Sequence, residues 1–176
     1  MSDRGPSRTT NLDRYGHPPL EWSRPHDKMA AGDLGPMGQG VLGTVRPDGR
    51  PHAAALGVVW FDGDFYFTSG LGTRKSRNLA ANPACTLYVP IPGIDMVFEG
   101  TAERVTDRSV AEPVVALFKA GGWPAAVSDS GDAVEAPFSA PSAGPGPWPI
   151  WRFRYDTAFG VAGEEPHGAT RWRFEA

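Results

Sequence analysis

The sequence predicts a mainly β fold with two or more helices, closed as a β-barrel. Two observations carry that prediction. Short apolar segments rich in β-branched and aromatic residues recur between tight-turn signals, and only two stretches have clear helical spacing. No internal repeat competes with this reading. At 176 residues, 40% apolar and 21% charged, the chain fits a domain that buries roughly two thirds of its unfolded surface.

Residues 1–38 are rich in Pro, Gly and charge and read as an irregular arm, with room for a short helix around Asp27 to Ala31. Its arginines Arg4, Arg8, Arg14 and Arg24 read as a solvated set. Residues 39–176 form the barrel domain. Val41 to Arg46 is a strand, and Pro47-Asp48-Gly49-Arg50 has the chemistry of a turn. His52 to Phe61 is a long strand joined by Asp62-Gly63, a strong hairpin signal, to Phe65–Ser69. A helix from Arg74 ends near Ala81, because Asn82-Pro83 cannot continue it. Ala84 to Val89 is a strand, Pro90 to Asp95 a loop, and Met96 to Val105 a strand bent or bulged at Gly100. Asp107 opens a second helix with Val110, Val114, Leu117 and Phe118 at helical spacing. Residues 121–149 read as a loop-rich insert, dense in Gly, Pro, Ser and Ala. Trp148 to Tyr155, Ala158 to Ala162 and Thr170 to Phe174 read as three closing strands.

Several function classes drop out. A net charge of −3 argues against a nucleic-acid binder, so any electropositive site must be local. No apolar run approaches the ~20 residues of a membrane span, and the polar beginning does not read as a signal peptide. The single cysteine, Cys85, sits in the apolar run ACTLYV and reads as a buried, inert thiol, and a cytoplasmic location is expected. His17, His26, His52 and His167 lack metal-ligand spacing, so no metal is expected. His52 reads as a polar group at a strand end. Ser139 and Ser142 lack the strand–turn–helix context of a nucleophile elbow.

The chemistry points instead to WFDGDFYFTSGLGTRKSRNLAANP. A strand ending in Thr68 and Ser69 passes through a glycine-bearing turn into the first turn of a helix carrying Thr73, Arg74, Lys75 and Arg77. Free backbone N–H groups, the positive end of the helix and cationic side chains converge there, an arrangement that favours phosphate. Thr73 is placed to cap the helix, Arg74 offers a fork to phosphate oxygens, and Lys75 a point charge. A solvated helix end is the plainer reading of an isolated Arg-Lys pair; the preceding strand and turn favour the phosphate.

The segments TVRPDGRPH, WFDGDFYFTSG, TRKSRNLAANP, FEGTAERVTD and EPHGATRWRF, taken in order, resemble the pyridoxamine 5′-phosphate oxidase-like proteins. That FMN-binding split-barrel group also contains the deazaflavin-dependent reductases. The resemblance implies a six-stranded split β-barrel, a homodimer, and cofactor sites at the dimer interface. It implies phosphate binding at Thr73, Arg74 and Lys75, with Asn78 one turn on. The flat ring would lie along the strand through Ala54, Ala55, Leu56 and Gly57, with Thr68 and Ser69 close by. The implied cofactor is FMN or a deazaflavin of the F420 type, and the implied activity hydride transfer on a small organic substrate. The small residues of that strand equally suit close barrel packing. Trp148, His167 and Trp172 are candidates for a substrate or second-subunit wall, although tryptophans more often serve a core. No side chain presents itself as a catalytic acid or base, which fits a cofactor that carries its own redox chemistry. True pyridoxamine phosphate oxidase activity is disfavoured, because the tail reads GATRWRF without an Arg-x-His signature. The alternative is a non-catalytic carrier of flavin or haem.

Overall fold

A computed structural model describes residues 4–34, 38–138 and 142–175; Ser139 lies outside the described residues. Among the described residues there are ten strands and three helices. They are β1 (Arg8–Asn11), α1 (Ser23–Ala30), β2 (Gln39–Val45), β3 (Pro51–Phe61), β4 (Asp64–Thr68), α2 (Arg74–Ala81), β5 (Ala84–Ile91) and β6 (Ile94–Arg104). After these come α3 (Arg108–Ala120), β7 (Ala126–Val127), β8 (Ala133–Glu135), β9 (Trp148–Ala162) and β10 (Gly168–Arg173).

Six antiparallel strands close a barrel in the order β9-β4-β3-β2-β5-β6, with β6 returning to β9. The six-stranded barrel implied by the resemblance is therefore present. Its turns follow local chemistry. Asp62 and Gly63 both adopt positive φ, 48° and 87°, as a two-residue hairpin of matching twist requires. Gly49 sits at φ 81° while the Asp48 carboxylate accepts from the Arg50 N–H at 3.1 Å.

Strand β9 is where the barrel splits. Its first part pairs with β4 (Phe65↔Phe153, Thr68↔Ile150) and its last part with β10 (Ala158↔Trp172, Ala162↔Gly168). Strand β6 runs along both parts, and its register shifts between Glu99, opposite Thr157, and Gly100, opposite Tyr155. Asp156 is left over there, so the bulge foreseen at Gly100 lies where the strand changes partners. The two closing strands expected on either side of Asp156 are one continuous strand, and the loop expected over Pro90 to Asp95 is a hairpin tip around Gly93 (φ 76°).

The described part of residues 1–38 is ordered rather than irregular. β1 pairs with β10, and α1 starts four residues earlier than the short helix expected. Leu20, Trp22, Met29 and Leu34 join the barrel core, with the Trp22 ring 4.7 Å from Phe174 and 5.3 Å from Trp172. Two of the arm's arginines are docked, not solvated. Arg4 lies over the Tyr155 ring at 4.7 Å, and Arg24 donates to the carbonyls of Gly93 (3.3 Å) and Glu164 (3.2 Å). A second, smaller core joins α3 to Tyr66, Val134 and Ile150; here Val114 and Phe118 point inward while Leu117 is exposed. The insert over 121–149 contributes the short hairpin of β7 and β8, whose β8 pairs with Trp148 and Pro149. Among the described residues no helix is long and apolar enough to cross a membrane.

Candidate functional site

Three hydroxyls organise the start of α2. Thr73 caps the helix in extended conformation, accepting from the Ser76 N–H at 3.4 Å. Ser69, the residue after β4, has its hydroxyl 2.9 Å from Thr73 Oγ1, and Ser76 Oγ donates to Ser69 Oγ at 2.7 Å. Trp151 on β9 donates its indole N–H to the Ser69 carbonyl at 3.3 Å, tying the turn to the barrel wall. Ser76 was not singled out from the sequence. Its signal was present, since a small hydroxyl residue three positions after a Thr cap meets the cap hydroxyl.

The helix is also held from below. Asn78 is 1% exposed and donates Nδ2 to Thr44 Oγ1 on β2 at 2.9 Å, and Thr44 Oγ1 in turn donates to the His52 carbonyl at 3.4 Å. Asn78 is thus a group that positions α2, and no free face of it is presented at the helix start.

The cations above this platform are not neutralised. Arg74 is exposed and Lys75 half-buried, and among the described residues neither has an ion-pair or hydrogen-bond partner. Burial alone pushes the Lys75 ammonium below its ordinary range. A folded protein seldom desolvates a lysine without a compensating anion. Donors, helix end and uncompensated cations together fit the anionic end of a ligand.

The remaining candidates separate. On β3, Ala54 and Leu56 are half-buried on the face that continues to buried Val58, while Ala55 and Gly57 are exposed on the outer face; Thr68 is half-buried. Trp148 is buried beside Trp123, and a side chain at Gly70, in the turn before α2, would meet its ring edge at 3.7 Å. Trp148 therefore backs the turn that leads into the site. Trp172 is completely buried between the arm and β9, with no surface left in this chain for a cleft wall. His167 lies beyond Ala162, at the barrel end formed by Ile91 and Ile94. The helix start is at the other end, near Thr68, Ile150 and Cys85. Within one chain, His167 is not brought to the site.

The family model described as pyridoxamine 5′-phosphate oxidase matches residues 37–136, more than half of the sequence and the whole of α2 with the turn before it. The chain belongs to the pyridoxamine 5′-phosphate oxidase family. Over 71 residues it is 38% identical to a pyridoxine/pyridoxamine 5′-phosphate oxidase of Rubrobacter xylanophilus, a match covering 39% of this chain and 33% of that protein. The match thus spans about a third of the curated relative's length. Among solved structures, an F420 reductase superposes with TM-score 0.50 at 25% identity, covering 80% of this chain and 98% of its own. A pyridoxamine 5′-phosphate oxidase-related, FMN-binding protein of Nostoc punctiforme superposes with TM-score 0.54 at 12% identity, covering 89% and 98%. The Nostoc likeness shows that the fold is shared.

Proposed function

We propose that this protein binds a phosphorylated flavin-type cofactor, FMN or a deazaflavin of the F420 type, and catalyses hydride transfer on a small organic molecule. The observation that carries the proposal is the pair Arg74 and Lys75, which among the described residues have no acidic partner, at the start of a helix capped by Thr73. The family and the F420 reductase likeness support the reading.

In this reading Arg74 grips phosphate oxygens and Lys75 supplies a second charge. Thr73, Ser69 and Ser76 hold the turn in shape, and Asn78 fixes the helix against β2. The small side chains of Ala55 and Gly57 leave the outer face of β3 open for a flat ring system. The bound cofactor supplies the two-electron chemistry; the protein's task is to orient the substrate and exclude water.

The protein acts as a homodimer in this proposal. Ala55, Val41, Tyr88, Val97 and Phe159 pair across five neighbouring strands into one outward row, with Val41 38% and Val97 37% exposed. Such a row on a sheet surface suits a second copy of the same face.

The test is reconstitution with FMN and with the deazaflavin, followed by absorbance, and by turnover with a conjugated acceptor. Replacing Arg74 and Lys75 together by Ala should weaken cofactor binding about 100-fold, from ~1.5–3 kcal/mol per charged hydrogen bond. Unchanged affinity would refute the site. Stoichiometric binding without turnover over a broad acceptor panel would favour a carrier instead.

A further inference from the structure

The described contacts leave two further basic groups near the helix start without a role. Arg46 and His52 come from the β2–β3 hairpin, and the strand register decides where they face. Thr44 pairs with His52, so their side chains leave the sheet on the same side. Leu42 and Thr44 are buried on that side, and the Arg46 N–H still pairs with the Arg50 carbonyl at 2.9 Å, which carries the alternation on to Arg46. Helix α2 covers this side, because the Asn78 amide reaches Thr44 there. Arg46 and His52 therefore flank the platform on which Arg74 and Lys75 sit.

Two observations show that the flank lacks something. The Arg46 Nε is buried and has no hydrogen-bond partner, and such orphan donors are uncommon in folded proteins. Asp48, whose carboxylate feels the Arg46 charge, is hydrogen-bonded by Arg50 instead, through bonds of 2.7 and 3.0 Å. The imidazolium of His52 is opposed first by burial and then by three positive charges, Arg46 from β2 with Arg74 and Lys75 from α2. Those three act on one ring, so they share a neighbourhood, and among the described residues no carboxylate is ion-paired or hydrogen-bonded to any of them.

We propose that Arg46 and His52 form a second wall of the cradle, so that a doubly charged phosphate bridges the β2–β3 hairpin and α2 and is selected over a singly charged or neutral end group. The inference rests on the cradle reading given above. It carries a consequence. A dianion among these cations offsets the repulsion that, after burial, lowers the His52 pKa, so phosphate favours protonation of the ring, and binding weakens as pH rises through the bound-state titration of His52.

The experiment uses the full chain without cofactor, with inorganic phosphate and FMN as probes and riboflavin as the neutral control. The His52 ring resonance, identified by its loss in His52→Asn, is followed against pH by NMR with and without phosphate. Its midpoint lies below the ordinary 6.5 without phosphate and moves upward with it. FMN affinity is then measured between pH 7 and 8.5, where a phosphate monoester with second pKa of about 6 stays doubly charged. Wild type weakens over that range and His52→Asn stays flat. Arg46→Gln loses about tenfold or more in FMN affinity, as expected for a charged hydrogen bond, and none for riboflavin. A His52 midpoint unmoved by phosphate, or Arg46→Gln binding FMN like wild type, overturns the second wall. If that happens while the Arg74→Ala/Lys75→Ala protein still loses FMN, the cradle reading survives. If the double variant also binds FMN normally, both fall.

Discussion

Gly100→Ala should loosen the barrel at its split. A Cβ built there would lie 2.1 Å from the Arg154 carbonyl oxygen, 2.7 Å from the Tyr155 Cα and 2.9 Å from the Arg154 carbonyl carbon. All three atoms are main chain, so no side-chain rotation relieves the clash, and β6 and β9 must separate at the bulge. Overpacking of this kind costs ~1–3 kcal/mol, and contact with backbone places this case at about 3. For chains of this size each kcal/mol moves Tm by roughly 2–4 °C, giving a drop of roughly 6–12 °C. The partner strand β9 carries Trp151, whose indole ties the turn before α2, so cofactor affinity should fall as well. Thermal unfolding by far-UV circular dichroism, with cofactor absent, measures the first effect, and flavin titration the second. Gly163→Ala is the control: it is exposed, an added Cβ meets nothing within 4 Å, and its Tm should stay within about 2 °C of wild type. A Gly100→Ala protein that melts alongside the control would refute the bulge argument.

Trp22→Ala should cost ~3–5 kcal/mol, the usual loss for a large aromatic in a core, because Trp22 is 8% exposed and packs on Trp172, Phe174 and Tyr155. A urea midpoint barely changed from wild type would show that the N-terminal segment is not part of the core. Alkali should destabilise the protein, beginning near pH 9. Burial raises the Cys85 thiol from 9.0 to about 12 and the Tyr155 phenol from 10.0 to about 12. Between those values the folded state holds protons that the unfolded chain has lost, so stability is full below pH 9 and declines by up to ~1.4 kcal/mol per pH unit for each group. Denaturant midpoints between pH 8 and 11 measure this, and a flat profile would contradict the burial of both groups. The thiol should also resist aromatic disulfide reagents at pH 8 until the chain unfolds.

Local chemistry was legible and distant pairing was not. The Asp62-Gly63 turn, the Thr73 cap, the stop at Asn82-Pro83 and the bulge at Gly100 each depend on residues within a few positions, and each lies where the sequence places it. The pairing of β1 with β10 joins opposite ends of the chain, so nothing near Arg8 announces it. Asp156-Thr157 looked like a break between two strands for a related reason. The polar residue marks a bulge, and whether a bulge bends a strand or ends it depends on the partner strand's register. Trp22 was hidden among prolines and charges, where an apolar residue has no periodic neighbours to give it meaning.

The site divides along the same line, and the division carries an energetic argument. Thr73, Arg74 and Lys75 are contiguous and could be read directly, whereas Thr44, Arg46 and His52 reach the helix only through the β2–β3 register. The hydroxyls Ser69, Thr73 and Ser76 already satisfy one another, and Asn78 is satisfied by Thr44. Removing any of these breaks bonds that exist without a ligand, so their loss should register in stability and only secondarily in affinity. Arg46, Arg74 and Lys75 have no such internal partners among the described residues. Their replacement by neutral residues relieves mutual repulsion, so these variants should be as stable as wild type without cofactor while binding it poorly. Stability and binding thus separate by residue, and that separation distinguishes a cradle built for an anion from a helix end that is merely well capped.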